Sequence, residues 1–414
     1  MKQKFFALLI LVPAAVFSQQ KITLAECETA FVRNNMELLA EQYNIPAQDA
    51  EVLQARIWDL PEISFESNLI RPSQPSFFNI GAHKELAVEQ LFLLGGKRRN
   101  EIALAKSNRE LAVLQLEELL VNLQAELREN FYALFYEHKK LGNIDDQLVY
   151  MNELLEAYRI QTSKGNIALR DQVRLQAIVM ALSADRLEVT NEITERTRRL
   201  ATLLGTKEEF IPDLSQDEEE SKLTAAPLFG LPELQEKARA FNPGYRYAVH
   251  LTETQQINYK LQKSLITPDL TAGLQWNQNS GIFHNEVNFS VGIPLPLWKK
   301  NAGNVELAKV QISQAEQLAA AQRLQLDNEV AAAYKKWEQH WQFYANLSPQ
   351  DWQDMQTVYR GILKNFRSGN VTLLDFTDFI DSYRETALQR YEMKKQIMIT
   401  AAELSRLTQN TLFK

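Results

Sequence analysis

Two kinds of periodicity divide the chain. From Phe283 to Ile293, Phe283, Val287, Phe289, Val291 and Ile293 fall on one face of an extended backbone, and His284, Glu286, Asn288, Ser290 and Gly292 on the other. Just upstream, Leu270, Ala272, Leu274 and Trp276 alternate with Thr271, Gly273, Gln275 and Asn277. A period of two marks a strand whose faces meet different surroundings. The polar stretch Gln278 to Ile282 joins the two segments into a hairpin over 268–297. A second hairpin reads over 61–92, where Ile63, Phe65 and Leu69 alternate with Glu62, Ser64, Glu66 and Asn68. Its return strand, near 84–92, alternates poorly. Period two is equally compatible with a half-buried hairpin in a soluble protein.

Elsewhere the pattern is helical. Lys97 to Gln161 contains no proline and one glycine, Gly142, and apolar residues fall at 116, 120, 123, 127, 131, 134 and 141. Spacings of three and four make a coiled-coil seam. At 1.5 Å per residue such a helix runs roughly 100 Å, so it must lie along neighbours of similar length. Shorter helices are expected at about 23–57 and 231–265, each stopped by a proline, which cannot continue the backbone ladder.

The two halves repeat. Asn34-Asn35 returns as Asn242-Pro243 and Leu60-Pro61-Glu62-Ile63 as Thr267-Pro268-Asp269-Leu270, about 207 positions on. Glu101 to Lys106 returns as Asn304 to Lys309, and Lys164-Gly165-Asn166-Ile167 as Ser368-Gly369-Asn370-Val371, about 204 positions on. Four anchors in one order at a nearly constant offset indicate a duplication. The expected organisation is a first repeat over 19–204, with a helical tip near 165. An acidic connector follows over 205–230, then a second repeat over 231–414 with its tip near 369. The run Asp217 to Glu220 reads as a solvated connector.

The first residues add a compartment. Lys2 and Lys4 precede the apolar run Phe5 to Phe17, and Val16 and Ser18 are small. That is a secretory signal peptide over 1–18. No later run approaches the ~20 apolar residues of a spanning helix. The mature part is therefore either soluble outside the cytoplasm or crosses a membrane by strands. One cysteine, Cys27, allows no intramolecular disulfide. Leu24-Ala25-Glu26-Cys27 invites a lipoprotein reading, but Glu26 stands where a small residue belongs. Cys27 is read instead as a small residue on a buried helix face. A formal net charge of −7 argues against nucleic acid.

Catalytic chemistry is hard to find. The histidines, His83, His138, His250, His284 and His340, lack metal-ligand spacing. There is no nucleophile elbow, phosphate loop or catalytic carboxylate pair. The reading is no enzyme, no cofactor and no resident metal. The strands carry a different implication. Four per chain cannot close a barrel, which needs about eight, and open edges are not tolerated in lipid. If these hairpins sit in a membrane, several chains must pool them.

The junctions between strand and helix narrow the choice. Gly292-Ile293-Pro294-Leu295-Pro296-Leu297-Trp298-Lys299-Lys300-Asn301-Ala302-Gly303-Asn304 resembles the strand-to-helix junction of TolC-like outer-membrane efflux proteins, most of all their CzcC-like heavy-metal branch. Leu94-Gly95-Gly96-Lys97-Arg98-Arg99 is the matching junction in the first copy, and Thr23-Leu24-Ala25-Glu26-Cys27 followed by Asn34-Asn35 resembles the family's opening. The similarity spans about 22–410. It implies a mainly α fold with a small β part. Long antiparallel coiled-coil helices would form a periplasmic tunnel, and four strands per chain would enter a twelve-stranded barrel shared by a homotrimer. It implies residence in the outer membrane of a Gram-negative bacterium, in contact with its lipid. It implies work with a periplasmic adaptor and an inner-membrane pump of the resistance-nodulation-division type. The cargo would be metal cations. Organic solutes, drugs or a secretion duct of the same fold stay open, as does a soluble periplasmic coiled-coil adaptor or scaffold.

The resemblance also assigns residues. The tips, Gly165, Asn166, Ile167 and Leu169 with Gly369, Asn370, Val371 and Leu373, would meet the adaptor. Asp375 and Asp378 match the paired acidic residues lining the family's periplasmic constriction. Asp381 is three further on, so the three are expected near one helix face as a ladder; an outward, solvated face is the alternative. Asp171 matches the acidic partner in the first copy. Phe366 replaces a tyrosine and Val371 an arginine of the family's closing links, leaving Arg170, Arg174 and Arg367 as substitutes. Phe65, Trp276, Phe289 and Trp298 fit an aromatic girdle, with core packing as the competing reading.

Overall fold

The computed structural model describes residues 20–67, 83–225, 228–279, 283–295 and 301–409. The first half opens on β1 (Gln20–Ile22), followed by α1 (Leu24–Asn34), α2 (Met36–Gln42) and α3 (Asn44–Ala55). The expected single helix over 23–57 is thus broken. Asn35 adopts an extended backbone and accepts the Leu38 N–H at 2.8 Å, starting a new helix where the periodicity alone would have continued the old one. The second half breaks likewise between α7 (Leu231–Phe241) and α8 (Pro243–Ser264), where Asn242 caps Tyr245.

Between them run β2 (Glu62–Ser67), β3 (His83–Phe92), the 67-residue α4 (Lys97–Ser163), α5 (Leu169–Leu203), β4 (Phe210–Pro212) and α6 (Gln216–Thr224). After α8 come β5 (Leu270–Asn279), β6 (Phe283–Gly292), α9 (Ala302–Ala345), α10 (Pro349–Arg367) and α11 (Leu373–Thr408). The poorly alternating return strand is fully formed as β3. The second long helix is divided, because Ser348 caps a new one and Pro349 occupies its first turn.

The seam of α4 packs as its spacing requires. Leu123, Leu127, Phe131 and Leu134 are buried, with Leu116 and Leu120 partly so. Two cores lie along the helices. One gathers Leu127, Tyr136, Leu200, Trp337 and Leu404; the other, towards the tips, gathers Ile144, Met151, Leu182, Phe366 and Phe376. Cys27 is fully enclosed in the first, and burial pushes its thiol up to about 12. That fits a packing residue and leaves it inaccessible.

The segment after α5 is no loose connector. β4 pairs in parallel with β1. In α6, Glu219 accepts from Lys394 Nζ at 2.8 Å and from the Tyr136 hydroxyl at 3.1 Å. Of the acidic run expected to be solvated, Asp217, Glu218 and Glu220 are exposed, and Glu219 alone is clasped to α4 and α11 by buried partners.

Candidate functional site

The four longer strands form one antiparallel sheet in the order β2-β3-β5-β6. Its register sorts the side chains. Ile63, Val88, Leu274 and Phe289 form one continuous row across all four strands, and Phe65, Leu86, Trp276 and Val287 the next. Most of this apolar face is exposed: Phe65 at 65%, Phe289 at 70%, Val287 at 67%. Trp276 lies in it half-buried; Trp298 lies outside the described residues.

The opposite face is polar and acidic. Glu62 stands directly across from Glu89, Glu66 across from Glu85, and Glu286 across from Asn277. Like charges facing each other across a ladder are unfavourable, so folding alone gives no reason for them. The strand alternation held this signal, but reading it required the register within each hairpin. Both edges, β2 and β6, lack a partner strand within the described residues.

Where sheet becomes helix, the two halves are pinned together. Lys97 Nζ lies 2.6 Å from Asp269 Oδ1, and Asp269 also accepts the Leu94 N–H at 3.1 Å.

At the far end each half turns through its predicted glycine. Gly165 and Gly369 have φ of 78° and 76°, a left-handed conformation that suits glycine. The N–H of Asn166 returns to the Gln161 carbonyl at 3.0 Å, and that of Asn370 to Asn365 at 2.9 Å, closing both helix ends alike. Gly165, Asn166, Leu169, Gly369 and Asn370 are exposed, and Ile167, Val371 and Leu373 half-buried.

The three aspartates of α11 do not share one face. Six residues turn a helix by roughly 120° net, and their surroundings differ accordingly. Asp375 is exposed and accepts the Thr372 hydroxyl at 2.7 Å. Asp378 is exposed. Asp381 is half-exposed and lies 3.9 Å from Arg384, which itself holds Asp185 of α5 at 2.8 Å. Burial raises the Asp381 carboxyl above the usual carboxylate range, against the pull of Arg384. Asp171 lies 3.3 Å from Arg170.

Of the arginines that could replace the lost links, Arg367 already pairs with Glu153 at 2.9 Å and lies over the Tyr150 ring. Phe366 stacks on Phe376 at 4.1 Å and on Tyr158 at 6.2 Å. An aromatic stack thus joins the two hairpins at the place where a tyrosine hydroxyl would have served.

Above the tips lies a charge network that the sequence did not reveal. Glu137, nearly enclosed, accepts from Lys140 at 3.0 Å and Lys395 at 2.8 Å, and Glu392 accepts from the same two lysines at 2.7 Å.

Residues 31–206 and 234–409 each match the outer membrane efflux protein family. The chain belongs to that family. The efflux protein is 23% identical over 312 residues to the cobalt-zinc-cadmium resistance protein CzcC of Cupriavidus metallidurans, covering 75% of this chain and 72% of CzcC. Among solved structures, it resembles a membrane protein from Pseudomonas aeruginosa with a TM-score of 0.75 at 15% identity, over 93% of this chain and 90% of that one. It resembles the open state of the MtrE outer membrane channel of Neisseria gonorrhoeae with a TM-score of 0.72 at 16% identity, over 94% and 89%. The efflux protein is thus an outer-membrane channel whose long helices make up a large periplasmic part. The apolar face of its sheet is the surface suited to lipid.

Proposed function

We propose that three copies of the efflux protein close a twelve-stranded barrel and pass metal cations outward from a pump and adaptor on the periplasmic side. The carrying observation is the sheet itself. Apolar rows cross all four strands on one face, carboxylates crowd the other, and both edges lack a partner strand among the described residues. A four-stranded sheet is too narrow to close on itself, and lipid does not tolerate its edges. Three copies supply twelve strands and, with two repeats each, a pseudo-sixfold tunnel below.

The acidic face then lines the lumen. Glu62, Glu66, Glu85, Glu89 and Glu286 from each copy form carboxylate rings, which concentrate cations and repel anions. This favours cationic cargo over organic anions and agrees with the kinship to CzcC, a cobalt-zinc-cadmium resistance protein. The channel supplies a path, and the pump supplies the energy.

In this reading the tips at Gly165–Leu169 and Gly369–Leu373 meet the adaptor. Asp375 and Asp378, exposed in one chain, face the axis of the trimer as a second acidic constriction opposite Asp171. Asp381 serves the packing of α11 against α5 instead. The partner pump is of the resistance-nodulation-division type.

A strain lacking the protein, grown across salts of cobalt, zinc, cadmium and copper and a panel of antibiotics, tests the cargo. Hypersensitivity confined to some of the metals is expected. Hypersensitivity to antibiotics alone would overturn it. Asp375→Asn combined with Asp378→Asn is expected to alter single-channel conductance; an unchanged trace would remove these residues from the gate.

A further inference from the structure

We propose that the outer flank of the first barrel-to-helix junction binds the phosphate of an anionic phospholipid in the periplasmic leaflet. The inference rests on the channel reading, which places that junction at the membrane surface. A groove of about 490 Å³ lies between the end of α3 and the start of α4, lined by Trp58, Leu93, Arg98, Arg99, Ile102 and Lys106. It joins three cations to an apolar and aromatic wall, the chemistry that suits a headgroup phosphate with its acyl chains alongside.

Two of the three cations are not used by the chain, while Arg98 donates to the Arg56 carbonyl. Lys97 is paired with Asp269, but Arg99 and Lys106 have no ion pair or hydrogen bond among the described residues. Arg98 stacks on the Trp58 ring at 4.1 Å, and its Nε is enclosed with no hydrogen-bond partner. Glutamates elsewhere on this surface routinely find arginines, as Glu117 finds Arg246 and Glu28 finds Arg128. Among the described residues no glutamate or aspartate lines this groove.

Handedness places the groove outside the lumen. Asn100 and Ser107 bond to α8, and Arg109 bonds to α3 on the opposite flank. Arg99 and Lys106 lie roughly a quarter turn from both. The Val88 carbonyl turns towards β5, lying 3.4 Å from where a Gly273 Cβ would stand, while the Val88 side chain lies in the apolar row. In a strand of L-residues running into a right-handed helix, that quarter turn falls on the apolar side of the sheet.

Depth agrees as well. The apolar rows end at Phe92 and Leu270. Arg98 and Arg99 follow in the first helical turn, at headgroup level, and Lys106 is roughly 10 Å lower, from where its ammonium can reach up. The second copy provides a contrast. Asn301 and Ala302 stand in place of Arg98 and Arg99, and Lys309, the counterpart of Lys106, lies 3.9 Å from Glu306. Among the described residues the site belongs to one repeat only.

Native mass spectrometry of the delipidated full-length protein, after adding phosphatidylglycerol, phosphatidylcholine or inorganic phosphate, tests the site. The wild type is expected to retain phosphatidylglycerol about tenfold better than phosphatidylcholine. Arg99→Gln with Lys106→Gln is expected to abolish that preference, and Lys309→Gln to leave it intact. A double variant that keeps the preference would overturn the proposal. So would displacement of phosphatidylglycerol from the wild type by millimolar inorganic phosphate, since the site would then serve the free ion. Conductance of the same preparations in planar bilayers separates the two readings: a conducting wild type without lipid preference sinks the lipid site alone, and a wild type that never conducts sinks the channel and the site together.

Discussion

Lys97 and Asp269 form an ion pair across 172 residues, with the ammonium almost wholly enclosed and the carboxylate about one-fifth exposed. The lysine begins α4 below the first hairpin, and the aspartate precedes β5 in the second. One bond thus fixes the two strand-to-helix junctions of a chain to each other. Asp269→Asn would keep an acceptor for Leu94 but strand a buried cation. A loss of about 3 kcal/mol is expected, read as a lower thermal unfolding midpoint in detergent. Lys97→Met in the same background should recover part of it, because the unpaired charge is then gone.

The sequence repeat pairs Asn34 with Asn242, but in the structure Asn35 and Asn242 hold the equivalent places. Each caps a helix, and each donates its amide to the carbonyl of a leucine ending the same repeat, Leu203 at 3.0 Å and Leu407 at 3.3 Å. Replacing either by alanine removes a cap and leaves a buried carbonyl unsatisfied. A cost of about 2 kcal/mol each is expected, additive in the double variant because the sites share no partner. Denaturant midpoints of the two single variants and the double variant check this.

Glu392 gives the helical tunnel a pH dependence. Burial alone would raise its carboxyl, but hydrogen bonds from Lys140, Lys395 and Gln396 outweigh that and hold it at about 2, below its ordinary 4.5. A lowered folded-state pKa means that the stabilisation is complete above the unfolded value and is lost as pH falls from about 5 towards 2. Because 41% of the side chain is exposed, screening reduces the contribution to roughly 1 kcal/mol. Glu392→Gln should flatten the acid limb of the stability curve over that window while lowering stability at neutral pH.

The sequence made the architecture legible where one residue pattern met one environment. Leu270–Trp276 and Phe283–Ile293 alternate because one face is apolar and the other polar, and the α4 seam is regular because it packs on long neighbours. β3 was harder to read because Lys84 and Gln90 lie among the outward-facing positions of the sheet, diluting the apolar rhythm between Leu86 and Phe92. The helix breaks at Asn35 and Asn242 were hidden because a cap is one local hydrogen bond inside an uninterrupted periodicity. The break before Pro349 had a sequence signal, a serine followed by proline. The glutamate face depends on the register within each hairpin, and the Glu137–Lys395 network on a pairing between residues far apart in the chain, which no local pattern records. Spacing alone groups Asp381 with Asp375 and Asp378, but the drift of a three-residue repeat around the helix brings it beside Arg384, half-exposed.

Ion selectivity of the reconstituted protein decides whether the acidic face of the sheet lines a cation path. The full-length chain is placed in a planar bilayer, and the reversal potential is measured across a salt gradient. Discrete channel openings with strong preference for cations are expected, falling towards neutrality when Glu62, Glu66, Glu85 and Glu89 are all replaced by glutamine. Absence of conductance, or a channel preferring anions with those glutamates intact, would contradict a cation path there.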